Sequence, residues 1–215
     1  ISLESADLPD GVEEIENRAF AGARYMTSAR IPQSVHSIGE SVFSGCRSLE
    51  RMDIPGSIKT VPADTLFGCA ALKELSIGSG IQTIGRRAFG GCTALESVRI
   101  PDGVTELDAM AFMGDSELVS AYIPESVKII GAEAFARCGK LRTISLPGGI
   151  EDIGAAAFSG CVALAEKDGF VMIGDVCCGY IGDGSSITVP YKASAIAPGA
   201  FRENKRILFL TVPDT

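Results

Sequence analysis

Apolar residues return along this chain at a spacing of 23. Leu8, Ile31, Ile54, Ile77, Ile100, Ile123 and Leu146 stand at equal intervals, and Val189 and Val212 resume the beat. A proline follows each of them except Ile77, which Gly78 follows. Within a turn, Leu95, Val98 and Ile100 end in strict alternation, the pattern of a short strand with one buried face, so Ser97 and Arg99 face outward. Pro101 has no N–H to donate and fits a strand end, and Asp102-Gly103 is turn chemistry, so each strand is brief. Val104 and Leu107 carry the apolar wall onward. The stretch from Asp108 to Gly114, holding Ala111-Phe112, is long enough for one or two helical turns and predicts a short α or 3₁₀ segment. A beat this regular predicts a solenoid, a single elongated body over residues 1–215 in which each turn packs only on its neighbours.

The beat assigns whole columns of residues to stacking. Phe20, Phe43, Phe89, Phe112, Phe135, Phe158 and Phe201 share one position, with Leu66 the one substitute; an aromatic stripe at this interval is core. Cys46, Cys69, Cys92, Cys138 and Cys161 share another. Equivalent Cα atoms of adjacent turns lie about 4.8 Å apart, within the range a disulfide tolerates, so a disulfide ladder is one reading. Buried free thiols are the other. The column also holds Ala23, Asp115 and Asn204, so it accepts any small, often weakly polar side chain, and three consecutive cysteines (Cys46, Cys69, Cys92) could form only one bridge among themselves.

The turn Leu-x-x-(Leu/Val/Ile)-x-Ile-Pro-x-x-(Val/Ile)-x-x-Ile-Gly-x-x-Ala-Phe-x-Gly-Cys, seen with substitutions as Leu118 to Cys138 or Leu49 to Cys69, closely resembles the BspA-like leucine-rich repeats of bacterial cell-surface proteins. The match runs over residues 3–168 and 187–213. The resemblance implies an α/β fold class: a right-handed leucine-rich-repeat solenoid with a parallel β-sheet on the concave side and short α or 3₁₀ segments on the convex side. It also implies an extracellular or cell-surface setting, adhesion and host–microbe contact.

The beat fails once. Turns start at 8, 31, 54, 77, 100, 123 and 146; the next start is due at 169, where Gly169 stands, and comes only at Val189, with a last one at 212. Between about 169 and 187, the β-prone runs Phe170–Ile173 and Val176–Ile181 alternate with Gly174-Asp175 and Gly182–Ser186. They predict a β-hairpin leading into a strand at Ile187–Val189. The hairpin is either another way of joining two turns or a protruding partner contact. Both ends stop inside a turn without a polar cap, which predicts a piece of a longer array.

Composition narrows the function more than it names it. A formal charge of −8 with pI ≈ 4.8 and no Lys/Arg cluster disfavours a nucleic-acid groove or an anionic membrane surface. No apolar run approaches the ~20 residues of a spanning helix, and Ile1–Glu4 has none of the regions of a signal peptide, as a trimmed chain would also lack. His36 is the only histidine, on a turn between Val35 and Ile38, so a triad or histidine metal cluster has no second member. Cys177-Cys178 is a vicinal pair without a companion at zinc spacing and reads as strand neighbours, one in and one out. Gly78-x-Gly80 and Gly182-x-Gly184 do not complete a phosphate loop, Asp175 to Asp183 lacks calcium-loop spacing, and Val212–Thr215 is the repeat's own strand end rather than a sorting signal. No catalytic, metal or cofactor residue emerges.

What remains is the outward strand face. Ser28, Arg51, Glu74, Ser97, Ser120 and Thr143 line up in one column and Arg30, Asp53, Ser76, Arg99, Tyr122 and Ser145 in the next. The candidate binding residues on this face are Arg51, Asp53, Glu74, Ser76, Ser97, Arg99, Ser120, Tyr122 and Thr143. Arg99 and Tyr122, on neighbouring turns, are the side chains most like anchors. The face reads either as a non-catalytic surface for a protein or glycan partner or as an ordinary solvated sheet on a structural spacer. An enzyme with its chemistry in another domain is the third reading. The free-thiol reading has a direct check: denaturation without reductant followed by thiol titration is expected to find at least five reactive groups, and fewer would establish bridging.

Overall fold

The computed structural model describes residues 2–202 and 204–213. It is a β-solenoid of stacked coils with two parallel sheets along its length. The alternating stretch of each coil forms the first sheet layer, in three ladder-paired groups: Ser5–Asp7 with Ser28–Arg30, Arg51–Ile54 with Glu74–Ile77, and Ser97–Arg99 with Ser120–Tyr122 and Thr143–Ile144. Paired residues lie one coil apart, as Arg51 with Glu74 and Ser97 with Ser120 and Thr143. A second sheet, not expected from the sequence, is built of strands of two residues such as Thr83–Ile84, Glu106–Leu107 and Ile129–Ile130, again parallel and one coil apart.

The expected α or 3₁₀ segments on the opposite side do not form, and with them the α/β class gives way to an all-strand coil. Residues Asp108–Gly114 are a run of turns, and the helical element among the described residues is the 3₁₀ turn Val162–Leu164. Hydrogen-bond direction explains the difference. The N–H groups of Ala111 and Met113 close local turns on the carbonyls of Asp108 and Met110. Those of Met110, Phe112 and Gly114 instead donate to the carbonyls of Ala132, Ala134 and Ala136 in the next coil, each at 2.8 Å. Alternate amides therefore leave the segment, which a helix with its i to i−4 bonds does not allow. Met110 makes this possible with φ 63°, and Arg18, Ser41, Asp64, Arg87, Glu133 and Ala156 take the same left-handed conformation one coil apart. That conformation costs a non-glycine residue roughly 1–2 kcal/mol, less than leaving the buried amides unpaired along the stack.

Inside the coils the phenylalanines stack. Phe112 and Phe135 lie 5.2 Å apart with rings 6° from parallel, and Phe135 and Phe158 lie 5.6 Å apart at 3°. Leu66, fully buried, fills the place between Phe43 and Phe89. All seven cysteines are free and buried. In the column each thiol donates to the carbonyl of the preceding coil's aromatic position, Cys69 to Phe43 at 3.2 Å and Cys161 to Phe135 at 3.1 Å. Burial pushes the Cys161 thiol up to about 12, so it stays protonated and keeps donating.

After the 3₁₀ turn, Phe170–Ile173 and Val176–Tyr180 pair antiparallel, and the second of them pairs parallel with Ala195–Ile196 of the following coil. The strand after it is Ser186–Thr188, parallel to Phe209–Thr211. Cys177 and Cys178 are not one in and one out: both are buried. They do face opposite sides, but both sides are covered. Cys177 joins Phe170, Met172, Ile187 and Val189 in a small separate core, whereas Cys178 joins the main core of the stack. At the chain end, Asp214 and Thr215 of the Val212–Thr215 segment lie outside the described residues, as does Ile1.

Asp115 is the misfit of the cysteine column. Its Oδ1 accepts the Cys92 N–H at 2.8 Å, yet Oδ2 is buried without a partner among the described residues. Burial raises its carboxyl well above the ordinary carboxylate range, and the amides of Cys92 and Gly91 oppose the shift. A raised native pKa gives stability that is complete below the unfolded value and lost as pH climbs toward the native one. Asp115→Cys, which restores the column's thiol, is therefore expected to stabilise the fold by about 1–3 kcal/mol at pH 8 and by less at pH 5. Urea unfolding of both proteins at the two pH values checks this, and a gain equal at both contradicts it.

Candidate functional site

The outward positions of the first sheet form a strip whose register is set by the backbone ladder. Arg51, Asp53, Glu74, Ser76, Ser97, Arg99, Tyr122 and Thr143 are exposed, and Ser120 is half-buried. Alternation inside each strand puts Met52, Val98 and Ala121 into the core, which fixes their neighbours outward. Arg51 stands opposite Glu74, Asp53 opposite Ser76, and Arg99 opposite Tyr122.

Two kinds of contact divide the strip. In the earlier coils an ion pair crosses the strip: Arg51 Nη2 lies 3.1 Å from Glu74 Oε1. Both side chains are well exposed, and such a pair contributes less than about 1 kcal/mol, so it neutralises the surface more than it stabilises it. One coil on, Arg99 has no acid opposite it and lies over the Tyr122 ring, its Cζ 4.0 Å from the centroid. A planar cation on an aromatic face is attracted by the ring quadrupole by about 0.5–1 kcal/mol at an exposed site. The pair borders a trough of 380 Å³ whose floor is Val98, Ala121 and Ile144 and whose other side chains are Ser97, Ser120, Thr143 and Ser145. The nine candidate residues are thus not one cluster. Ser97, Arg99, Ser120, Tyr122 and Thr143 share the trough, while Arg51, Asp53, Glu74 and Ser76 lie on the coils before it.

A second cavity, of 400 Å³, opens where the hairpin parts two coils, and no recurring letter signals it. The Ala156 N–H still reaches the Pro198 carbonyl at 3.0 Å, but beyond that bond the segment Phe158–Gly160 borders open space shared with Tyr180–Asp183 and Asn204–Arg206. Asn204 takes the place of the column's cysteines, its amide nitrogen 3.3 Å from the carbonyls of Tyr180 and Gly182. Arg206 pairs with Asp183 at the rim.

The remaining sequence motifs resolve into architecture. A Cβ on Gly80 would fall 1.8 Å from the Gly56 carbonyl oxygen, and one on Gly78 would fall 2.2 Å from the Gly56 nitrogen, so these glycines let two coils touch. The Gly184 N–H donates to the Tyr180 hydroxyl at 3.2 Å. His36 is exposed, its Nε2 3.8 Å from Glu13 Oε2. Among the described residues no helix is long and apolar enough to cross a membrane.

The sequence matches the model of the BspA type leucine rich repeat region in 6 copies, over residues 1–119 and 109–215. A comparison with curated proteins finds no match. Among solved structures, a leucine-rich repeat protein from Bacteroides ovatus is similar with a TM-score of 0.78 and 28% identity, over 97% of this chain and 59% of that one. A leucine-rich repeat protein from T. pallidum gives 0.72 and 30% identity over 76% of this chain and 78% of its own. One from Eubacterium ventriosum gives 0.67 and 26% identity over 74% and 43%. The chain therefore spans little more than half the length of the Bacteroides protein.

Proposed function

The chain belongs to the BspA type leucine-rich repeat family, and from that membership we propose that it is a non-catalytic binding module, cell-surface or secreted, whose first-sheet face takes a protein or glycan partner in adhesion. The observation that carries this reading is the Arg99–Tyr122 pair. A solvated spacer has no need to hold an arginine over an aromatic ring beside a trough. The lone histidine, the protonated thiols and the absence of a nucleophile–base pair in the sequence support the non-catalytic part. The extracellular setting rests on the family resemblance.

The alternative, a spacer that carries another domain, draws on the regularity of the other coils, where ion pairs such as Arg51 with Glu74 and Lys140 with Glu117 join neighbouring coils. The two readings part in one experiment. Beads coated with the chain are expected to adhere to mucin-coated or matrix-coated surfaces, and the Arg99→Ala/Tyr122→Ala double variant is expected to lose most of that adhesion at unchanged melting temperature. Adhesion undiminished by the double variant would favour the spacer.

A further inference from the structure

We infer that the trough beside Arg99 and Tyr122 takes a carboxylate-bearing oligosaccharide. The inference deepens the binding reading above and rests on it. Three features of the trough select this chemistry.

Arg99 is the one charged residue lining it. Among the described residues its guanidinium makes no ion pair and no hydrogen bond to protein, so its donors are free. On the two coils that flank it, Arg99's own column holds Ser76 and Tyr122 and no acid, and Glu74 of the adjoining column is held by Arg51 at 3.1 Å, which leaves a local positive site on a chain of net charge −8. Stacking on Tyr122 fixes the plane of the guanidinium without using its edge, and that edge matches a carboxylate in a bidentate pair.

Beside it run the hydroxyls of Ser97, Ser120 and Thr143, one per coil in strict register. Their step of about 4.8 Å is close to the span of one sugar ring, and each hydroxyl both donates and accepts, as sugar hydroxyls do. Ser145, next in the column after Tyr122, is too short to cover the ring, and Tyr122 is 43% exposed. An exposed aromatic face suits the C–H face of a sugar. The floor of Val98, Ala121 and Ile144 is shallow and offers no pocket for the apolar anchor of a peptide.

The test is calorimetric titration of the chain with a hyaluronan hexasaccharide and with the same oligosaccharide after reduction of its carboxyl groups. The acid form is expected to bind at least tenfold more tightly than the reduced one, to weaken with added salt, and to lose at least tenfold with Arg99→Met; Arg99→Lys, which keeps the charge and loses the fork, is expected to recover only part. Equal binding of both forms, unaffected by Arg99→Met but lost with Tyr122→Ala, would overturn the carboxylate inference and leave the binding face standing. If neither oligosaccharide binds, the inference fails. A glutamate-rich peptide bound by the chain and lost with Arg99→Met would then keep the binding reading, and adhesion unaffected by Arg99→Ala/Tyr122→Ala would remove it.

Discussion

Backbone hydrogen bonds between coils hold this structure, and they run in two directions. In the first sheet both senses occur, the Val119 N–H donating back to the Glu96 carbonyl and the Ile100 N–H forward to the Tyr122 carbonyl, and at the end of the second the Gly131 N–H donates back to the Leu107 carbonyl. On the third side the sense is forward, and Phe112 donates to Ala134. Every coil is thus tied to both neighbours from the same positions, which is why the chain repeats at a constant interval. An extra residue that is not looped out, as the hairpin is, would move the donors of its own coil off their acceptors in the neighbouring coils. No coil can bury its apolar wall or satisfy its amides alone, so stability belongs to neighbouring pairs of coils.

Once the ladder is fixed, side chains stack in columns, and each column tests what a position tolerates. The phenyl column demands volume, and Leu66 is accepted at the cost of the ring contacts above and below it. The thiol column demands a small donor aimed at the preceding coil, which five cysteines supply. Asp115 meets the size requirement but leaves its own Oδ2 buried without a partner among the described residues. On the outside the same register aligns Arg51 with Glu74 and Arg99 with Tyr122. The fold supplies the alignment; the letters at each position decide whether it ends in a neutral pair or in a site.

Much of this is legible in the sequence, because a 23-residue beat with Ile-Pro strand ends determines which residues share a face. The outward columns and the phenyl core follow from it directly. The turn segment is not legible for a specific reason. Its left-handed residue is Arg18, Ser41, Asp64, Arg87, Met110, Glu133 or Ala156, none of them the glycine or asparagine that ordinarily marks that conformation, so Asp108–Gly114 reads as helical. The second sheet escapes because a strand of two residues has no periodicity. Cys177-Cys178 shows alternation correctly but not that both faces of the hairpin are covered, since that depends on the small core made with Ile187 and Val189. The pairing of Arg99 with Tyr122 follows from the column order, whereas the trough beside them depends on the short side chains of three successive coils.

The coils are interchangeable units held by bonds between fixed positions. Two excisions of nearly equal length put this to the test. Deleting residues 100–122 removes one full coil and brings Arg99 against Ile123, an equivalent junction; the account predicts a protein that still unfolds cooperatively, with a melting temperature within a few degrees of the parent. Deleting residues 100–121 leaves one extra residue in the coil at the junction and takes that coil's donors off their acceptors, so its melting temperature is expected to fall well below that of the first deletion. Equal stability of the two deletions would contradict it.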